Sequence, residues 1–411
     1  DVKSVIRIRT KPPKGDGFSG ILRSDNGFQH YFRTGNSLDL KYRTSGLEIF
    51  ANYGWWRGNT RFDRLNDMNT TTSKGTYRQF VSTIGKESYN DMTGKLGFSY
   101  MINDRHSIGA YYQNSWNRHN TDGTIPSEIW QDGILLDLYN SDVHNQSSAV
   151  PRHYANIYYN GIVGKLNIDF NADYIWYKSR ELTFNNELSE MGNDREVNTS
   201  SINRNRMFAE KLVMTYPLWK GQIEIGEEYT NTRTTNLFSA NIPETPNADN
   251  RVDENNIAVF AELGQQFGHF MIGAGLRYEH VKFNYYEMGL LRDGQSKTYN
   301  NIFPSLNIAT EVGKVRMGLN YTGKTIRPGY DQLDGAISYI NRLTYETGNP
   351  YLKPTKLQTV EYMAQWRRFF AQLSYTYFKD GVYHITEPYG PEGEATIIRT
   401  ANLDHRHYLQ A

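Results

Sequence analysis

Few residues in this chain are placed to do bond chemistry. His405 and His407 share one side of an extended segment, as two metal ligands would. Zinc takes three or four protein ligands, and no third stands near them in sequence. The pair therefore reads as wet side chains facing an enclosed passage. Asp249, Asp253 and Glu254, in the segment Pro246 to Asn256, offer the oxygen ligands that calcium takes. Their spacing fits no known calcium loop, and a solvated loop tip is the favoured reading. Gly273-Ala-Gly275 lacks the third glycine of a dinucleotide fingerprint and lies in a strand pattern. There is no phosphate-binding loop, zinc-protease helix or serine-nucleophile elbow. The absence of cysteine excludes disulfides, thiolate sites and cysteine nucleophiles. No catalytic residue, cofactor or metal is expected, and the chain is not expected to be an enzyme.

What the sequence does position is side chains on two opposite faces. From Lys165 to Tyr177 it reads K-L-N-I-D-F-N-A-D-Y-I-W-Y. Leu166, Ile168, Phe170, Ala172, Tyr174 and Trp176 share one side, and Asn167, Asp169, Asn171 and Asp173 the other. A period of two is a strand with one apolar and one polar face. Asp169, Asn171, Asp173 and Glu224 read as lining of a polar interior. The mean hydropathy is negative, and no apolar run is long enough for a spanning helix. Neither fact excludes a membrane protein, because membrane strands alternate and average out polar. A net charge of +1 gives no reason to expect a nucleic-acid partner. The 31 tyrosines, 19 phenylalanines and 7 tryptophans suit sites that are part apolar and part wet.

The pattern recurs. Compact turns fall near Ser45, Asn103-Asp104, Val163-Gly164, Trp219-Lys220-Gly221, Gly268-His269, Gly313-Lys314 and Arg367-Arg368. Each is followed by an alternating segment. Between them lie polar stretches, Asn66 to Gly75, His119 to Asn145, Asn185 to Asn203, Phe238 to Asn256 and Met288 to Asn300, which read as long loops. Short turns on one side and long connections on the other suit an outer-membrane barrel. The faces Leu47 to Trp55, Leu166 to Trp176, Phe270 to Tyr278, Val315 to Tyr321 and Phe369 to Tyr377 carry no charge on their outward parity. Each has a length that suits a tilted strand crossing hydrocarbon, and aromatic residues stand at its ends. The fold class expected is all-β: a transmembrane antiparallel up-and-down β-barrel in a lipid bilayer, with about sixteen strands present. A soluble propeller or sandwich is the alternative.

Three stretches resemble TonB-dependent outer-membrane receptors. Val5-Ile-Arg-Ile-Arg-Thr-Lys11 is similar to the last strand of that family's plug domain. Ile326-Arg-Pro-Gly-Tyr-Asp-Gln-Leu333 resembles a barrel strand passing into an extracellular loop. Tyr345-Glu-Thr-Gly-Asn-Pro-Tyr-Leu-Lys-Pro354 resembles the family's GNP-L-KPE signature through Gly348, Asn349, Pro350, Leu352, Lys353 and Pro354, with Thr355 in place of the acid. The resemblance implies a 22-stranded barrel with short periplasmic turns and long extracellular loops. Residues 1–14 would be the end of the plug and its linker, and 15–411 a barrel domain incomplete at its C-terminus. It also implies a TonB complex as energising partner and a nutrient ligand such as a siderophore, glycan or peptide, in the bacterial outer membrane. Trp116, Trp130, Tyr285, Tyr286 and Tyr339 are the loop aromatics expected to touch ligand. A passive porin, a surface adhesin or a soluble glycan-binding β-protein are the other functions these features allow.

Overall fold

The structure is a computed structural model that describes residues 15–72, 74–391 and 395–411. The plug-like stretch Val5 to Lys11 lies outside these residues. Sixteen long strands form one antiparallel wall. They are β1 (Gly17–Gln29), β2 (Tyr31–Thr44), β3 (Leu47–Thr72), β4 (Gly75–Asn103), β5 (His106–Gln131), β6 (Ile134–Val163), β7 (Leu166–Ser189), β8 (Arg195–Leu218), β9 (Gly221–Ala240), β10 (Ala248–Phe267) and β11 (Phe270–Glu287), then β13 (Lys297–Val312), β14 (Val315–Ile326), β17 (Thr355–Trp366), β18 (Phe369–Tyr389) and β19 (Ala395–Gln410). Three short strands, β12 (Leu290–Leu291), β15 (Ile337–Asn341) and β16 (Thr344–Thr347), belong to connections. Each wall strand pairs with the next in sequence, and β14 skips the β15–β16 hairpin to pair with β17. Among the described residues β1 pairs with β2 alone, and no ladder joins β1 to β19.

At one end all seven connections are two-residue turns, at the positions the sequence pattern predicts. Ser45 and Gly46 both take left-handed backbone, with φ of 46° and 85°. That geometry matches the twist of two joined strands. At the other end the structure corrects the reading of long irregular loops. The β3–β4 ladder runs unbroken from Leu47↔Tyr100 to Thr72↔Gly75. The stretch from His119 to Asn145 is two strands joined only at Asp132-Gly133. Polarity there marks water, not irregularity: Thr, Asn and Ser side chains leave the backbone ladder intact, and β-branched threonine favours it. The walls are consequently uneven, with 30 residues in β6 and 12 each in β14 and β17. Irregular chain is confined to segments such as 190–194, 241–247 and 327–354.

The segment 327–354 shows that the wall curls. It is rooted between β14 and β17, yet Arg342 reaches Asp137 on β6 and Glu187 on β7. Neighbouring strands lie about 4.8 Å apart, so β7 and β14 would be roughly 29 Å apart in a flat sheet. The sheet wraps around this segment, which fills the upper lumen.

Outward positions in the band are apolar, with two departures on neighbouring strands. Glu210 on β8 stands opposite Ala172 and Tyr229, and Glu227 on β9 opposite Leu212 and Val259. Neither carboxylate has a hydrogen bond or ion pair among the described residues. A basic residue at mid-bilayer costs about 2–4 kcal/mol and an acid less. Glu227→Leu is expected to raise the unfolding free energy in vesicles by about 1–2 kcal/mol. Reversible denaturant titration of the reconstituted protein reads this directly, and an unchanged midpoint would show the carboxylate already shielded.

Candidate functional site

Beneath the 327–354 segment lies a cavity of about 920 Å³. Its lining on β7 is Tyr177, Ser179, Glu181 and Thr183, every second residue, so these side chains share the lumen parity. On β8 and β9 the same rule places Ser201, Asn203 and Asn205, then Thr234, Asn236 and Phe238. The roof comes from the segment itself, including Tyr330, Asp331, Asp334, Ser338, Tyr339 and Glu346.

Two anchors hold the roof. The first is ionic. Glu187 is 0% exposed. It accepts hydrogen bonds from Tyr339 Oη at 2.5 Å, Arg342 Nε at 2.8 Å and Asn185 Nδ2 at 3.0 Å. Arg342 also donates to Asp137 at 3.2 Å and to the Asn193 carbonyl at 3.0 Å, and lies 4.7 Å from the centre of the Tyr139 ring. A buried carboxylate is tolerated only when paired and hydrogen-bonded in this way. Burial, then the Glu187 charge and its hydrogen bond, push the Tyr339 phenol well above the ordinary tyrosine range. It therefore remains a donor at physiological pH.

The second anchor is apolar. Leu333 and Leu352 of the roof pack on Val252, Phe283 and Tyr285 of β10 and β11, with Tyr330 and Val382 against them. Burial, followed by the charge of Asp334, raises the Tyr285 phenol. Tyr330 is pushed up to about 12, mainly by burial and next by Glu254. Asp334 sits between the walls, accepting from Asn236 and, at 2.6 Å, from Asn250.

The Gly348–Pro354 stretch stitches the roof down. The Asn349 backbone N–H donates to the Gln332 carbonyl at 2.7 Å, and its side-chain Nδ2 to the Thr400 carbonyl at 2.9 Å. Its Oδ1 accepts the Tyr351 N–H at 2.9 Å, closing a side-chain turn. Asn402 of β19 grips Lys353 from both sides, accepting its N–H at 2.7 Å and donating to its carbonyl at 2.9 Å. Leu352 is 2% exposed, and Pro354 is buried beside it in sequence. Lys297 donates to the Tyr351 and Leu352 carbonyls.

Of the five candidate aromatics, the structure brings Tyr285 and Tyr339 together in the cavity lining. The other three point elsewhere. Trp116 is exposed within β5, on the outward parity of Tyr112. Trp130 takes the parity opposite to buried Ser127 and Ile129, and donates to Glu128 at 3.0 Å. Tyr286 lies under the Arg251 guanidinium, 3.7 Å away, on the outside of the wall. Adjacent strand residues face opposite ways, so Tyr285 and Tyr286 cannot share a site.

The same parity disperses the calcium candidates. Asp253 faces outward, bound bidentately by Arg233 at 2.6 and 3.0 Å, while Glu254 faces the lumen. His405 and His407 also turn outward rather than into the passage, where His407 meets Tyr375 Oη at 2.7 Å. Asp173 does sit on the lumen side, accepting from Tyr154 and Asn156, each at 2.6 Å. Sequence reasoning missed Asp137, Glu187 and Arg342. Only their spacing in the fold, not in the chain, reveals them.

This architecture has relatives. The fold matches a variant of the ferric enterobactin receptor PfeA of Pseudomonas aeruginosa, 15% identical, with a TM-score of 0.57 over 96% of this chain and 59% of that one. A double mutant of the Serratia marcescens hemophore receptor HasR, solved with its hemophore HasA and heme, is 12% identical with a TM-score of 0.53, over 96% and 60%. The siderophore receptor PirA of Acinetobacter baumannii is 12% identical with a TM-score of 0.50, over 96% and 59%. The chain thus spans about three fifths of these receptors' length. No curated protein matches it. The wall shares its fold with the barrels of these receptors. The family model that describes outer membrane protein β-barrels matches residues 163–411, and the chain belongs to that outer-membrane family.

Proposed function

We propose that this chain is the barrel portion of a TonB-dependent uptake receptor. Its ligand is held in the cavity under the 327–354 roof, and is a neutral, polyhydroxylated molecule such as an oligosaccharide. In this reading residues 1–14 are the end of the plug and its linker, and 15–411 the barrel. The inner-membrane TonB complex supplies the energy. One observation carries the ligand class: the cavity is walled by amides, hydroxyls and tyrosines, and its acidic groups are Glu181, Asp331, Asp334 and Glu346. His384 also lines it, and Arg204, which borders it, belongs to the outward parity of β8. Such a lining presents many donors and acceptors to a sugar. Its four carboxylates disfavour an anionic ligand.

The test is uptake by cells expressing the full-length protein. Labelled neutral oligosaccharides should enter, entry should stop when TonB is deleted, and the double substitution Asn203→Ala with Asn236→Ala should reduce it at least tenfold. Uptake indifferent to TonB would refute the receptor reading. Energised uptake of a ferric siderophore in preference to sugars would refute the ligand class alone.

A further inference from the structure

The lumen face of β3–β5 carries a platform that the cavity under the roof does not include. Trp56 follows outward-facing Trp55 in β3 and so turns inward. Its indole lies flat on the wall. Two places earlier in the strand is Gly54, and directly opposite on β2 is Gly35. A β-carbon at Gly35 would fall 2.7 Å from Cδ1 of the indole, and one at Gly54 would come nearer still to the six-membered ring. Both positions must be glycine for the ring to seat there. One face of the indole covers backbone. The residue is nevertheless 42% exposed, so the other face is open to the lumen.

Hydrogen-bond acceptors stand beside this platform. Asp91 of β4 is directly opposite Trp56. His119 of β5 lies between Asp91 and Glu87, with Nε2 3.0 Å from the first and Nδ1 3.0 Å from the second. Hydrogen bonds from both nitrogens put a proton on each, and the imidazolium holds the two carboxylates in place. The second oxygen of each carboxylate has no hydrogen bond among the described residues.

A flat ring beside fixed acceptors suits a pyranose. The C–H face of the sugar meets the negative face of the indole, and its hydroxyls donate to the free carboxylate oxygens. A purely aromatic ligand would cover the ring but leave the carboxylates desolvated. An anion would be repelled. Ladder register connects this place to the cavity. His119 pairs with Ser147, two residues from Asn145, which lines the cavity. Trp56 is three strands from β6, about 14 Å along the wall.

We infer that Trp56, with Glu87 and Asp91 held by His119, is a second sugar subsite, taking the part of an oligosaccharide that extends beyond the cavity. This deepens the oligosaccharide reading of the cavity and rests on it.

The experiment screens the full-length protein in lipid nanodiscs against an array of neutral oligosaccharides. Calorimetry then compares the disaccharide and the hexasaccharide of each sugar unit bound. The hexasaccharide should bind at least tenfold more tightly. Trp56→Ala should weaken hexasaccharide binding at least tenfold and leave the disaccharide unchanged. Trp56→Phe, which keeps a flat ring, should retain most of the hexasaccharide affinity. Asn203→Ala with Asn236→Ala should weaken both lengths. Should Trp56→Ala not fold, Glu87→Gln with Asp91→Asn carries the same comparison, and is expected to weaken the hexasaccharide alone. Unaltered hexasaccharide affinity in the folded variant, or an equal loss for both lengths, would overturn the second subsite and leave the cavity reading standing. Failure of the unaltered protein to bind any oligosaccharide on the array would overturn both.

Discussion

Arg342→Ala is expected to unseat the roof of the cavity. The substitution leaves Glu187 buried without its cation, and strands Asp137 as well. Breaking a buried pair from one side costs about 3–5 kcal/mol, because the remaining charge is uncompensated. Besides these side chains only a short parallel ladder, Thr344↔Thr396 to Thr347↔Arg399, ties the roof to β19, so the loss falls on roof docking and leaves the barrel folded. Hydrogen exchange of the amides in Ile337–Thr347 should accelerate roughly hundredfold or more, since 1.4 kcal/mol is a factor of ten. Wall amides such as those of β7 should change little. Replacing both partners, Glu187→Leu with Arg342→Met, should recover much of the protection, because an apolar pair bears no desolvation penalty. Unchanged exchange in Arg342→Ala would show that the apolar anchor and the backbone contacts to β19 seat the roof without the ion pair.

Gly348→Ala should have the next largest effect. A β-carbon there would fall 2.7 Å from the Gln332 carbonyl oxygen and 2.8 Å from that of Asp331, and nearer still to the carbonyl of Asp334. All three are backbone atoms, so no side chain can swing aside. Overpacking of this kind costs about 1–3 kcal/mol, and the rigid neighbours place the expected value near the upper end. The turn that joins Asn349 to Gln332 would have to open. A single cysteine at Ser338 makes a clean reporter, because the chain has none of its own. Its labelling by a maleimide should be at least tenfold faster in the Gly348→Ala background. Gly294→Ala is the control: its added carbon meets nothing closer than a Tyr351 ring carbon at 3.8 Å. Equal labelling in the two backgrounds would mean that the roof absorbs the extra carbon.

Much of the wall was legible in the sequence because strand parity is a local property. The alternation from Leu166 to Trp176 fixes which side chains meet lipid, and the seven tight turns follow from where it restarts. The same rule, carried upward, would have shown that Tyr285 and Tyr286 face opposite ways. It would also have shown that His405 and His407 of β19 share the outward face of the wall with Tyr375 of β18. What one strand cannot show is which distant strand its lumen face opposes. Glu187 and Arg342 are 155 positions apart and meet only because the sheet curls. The polar stretches misled for a different reason. Asn, Thr and Ser were read as irregular chain, whereas here they mark the part of a hairpin that stands in water.

The unequal strand lengths set the direction of approach to the cavity. β6 exceeds β14 and β17 by 18 residues. At about 3.3 Å per residue and a tilt near 45°, that is a difference in height of roughly 40 Å. The mouth is therefore shaped like a high-backed chair. A large molecule coming from the side of the tall strands meets the back, and one coming from the side of β14 and β17 meets the seat directly.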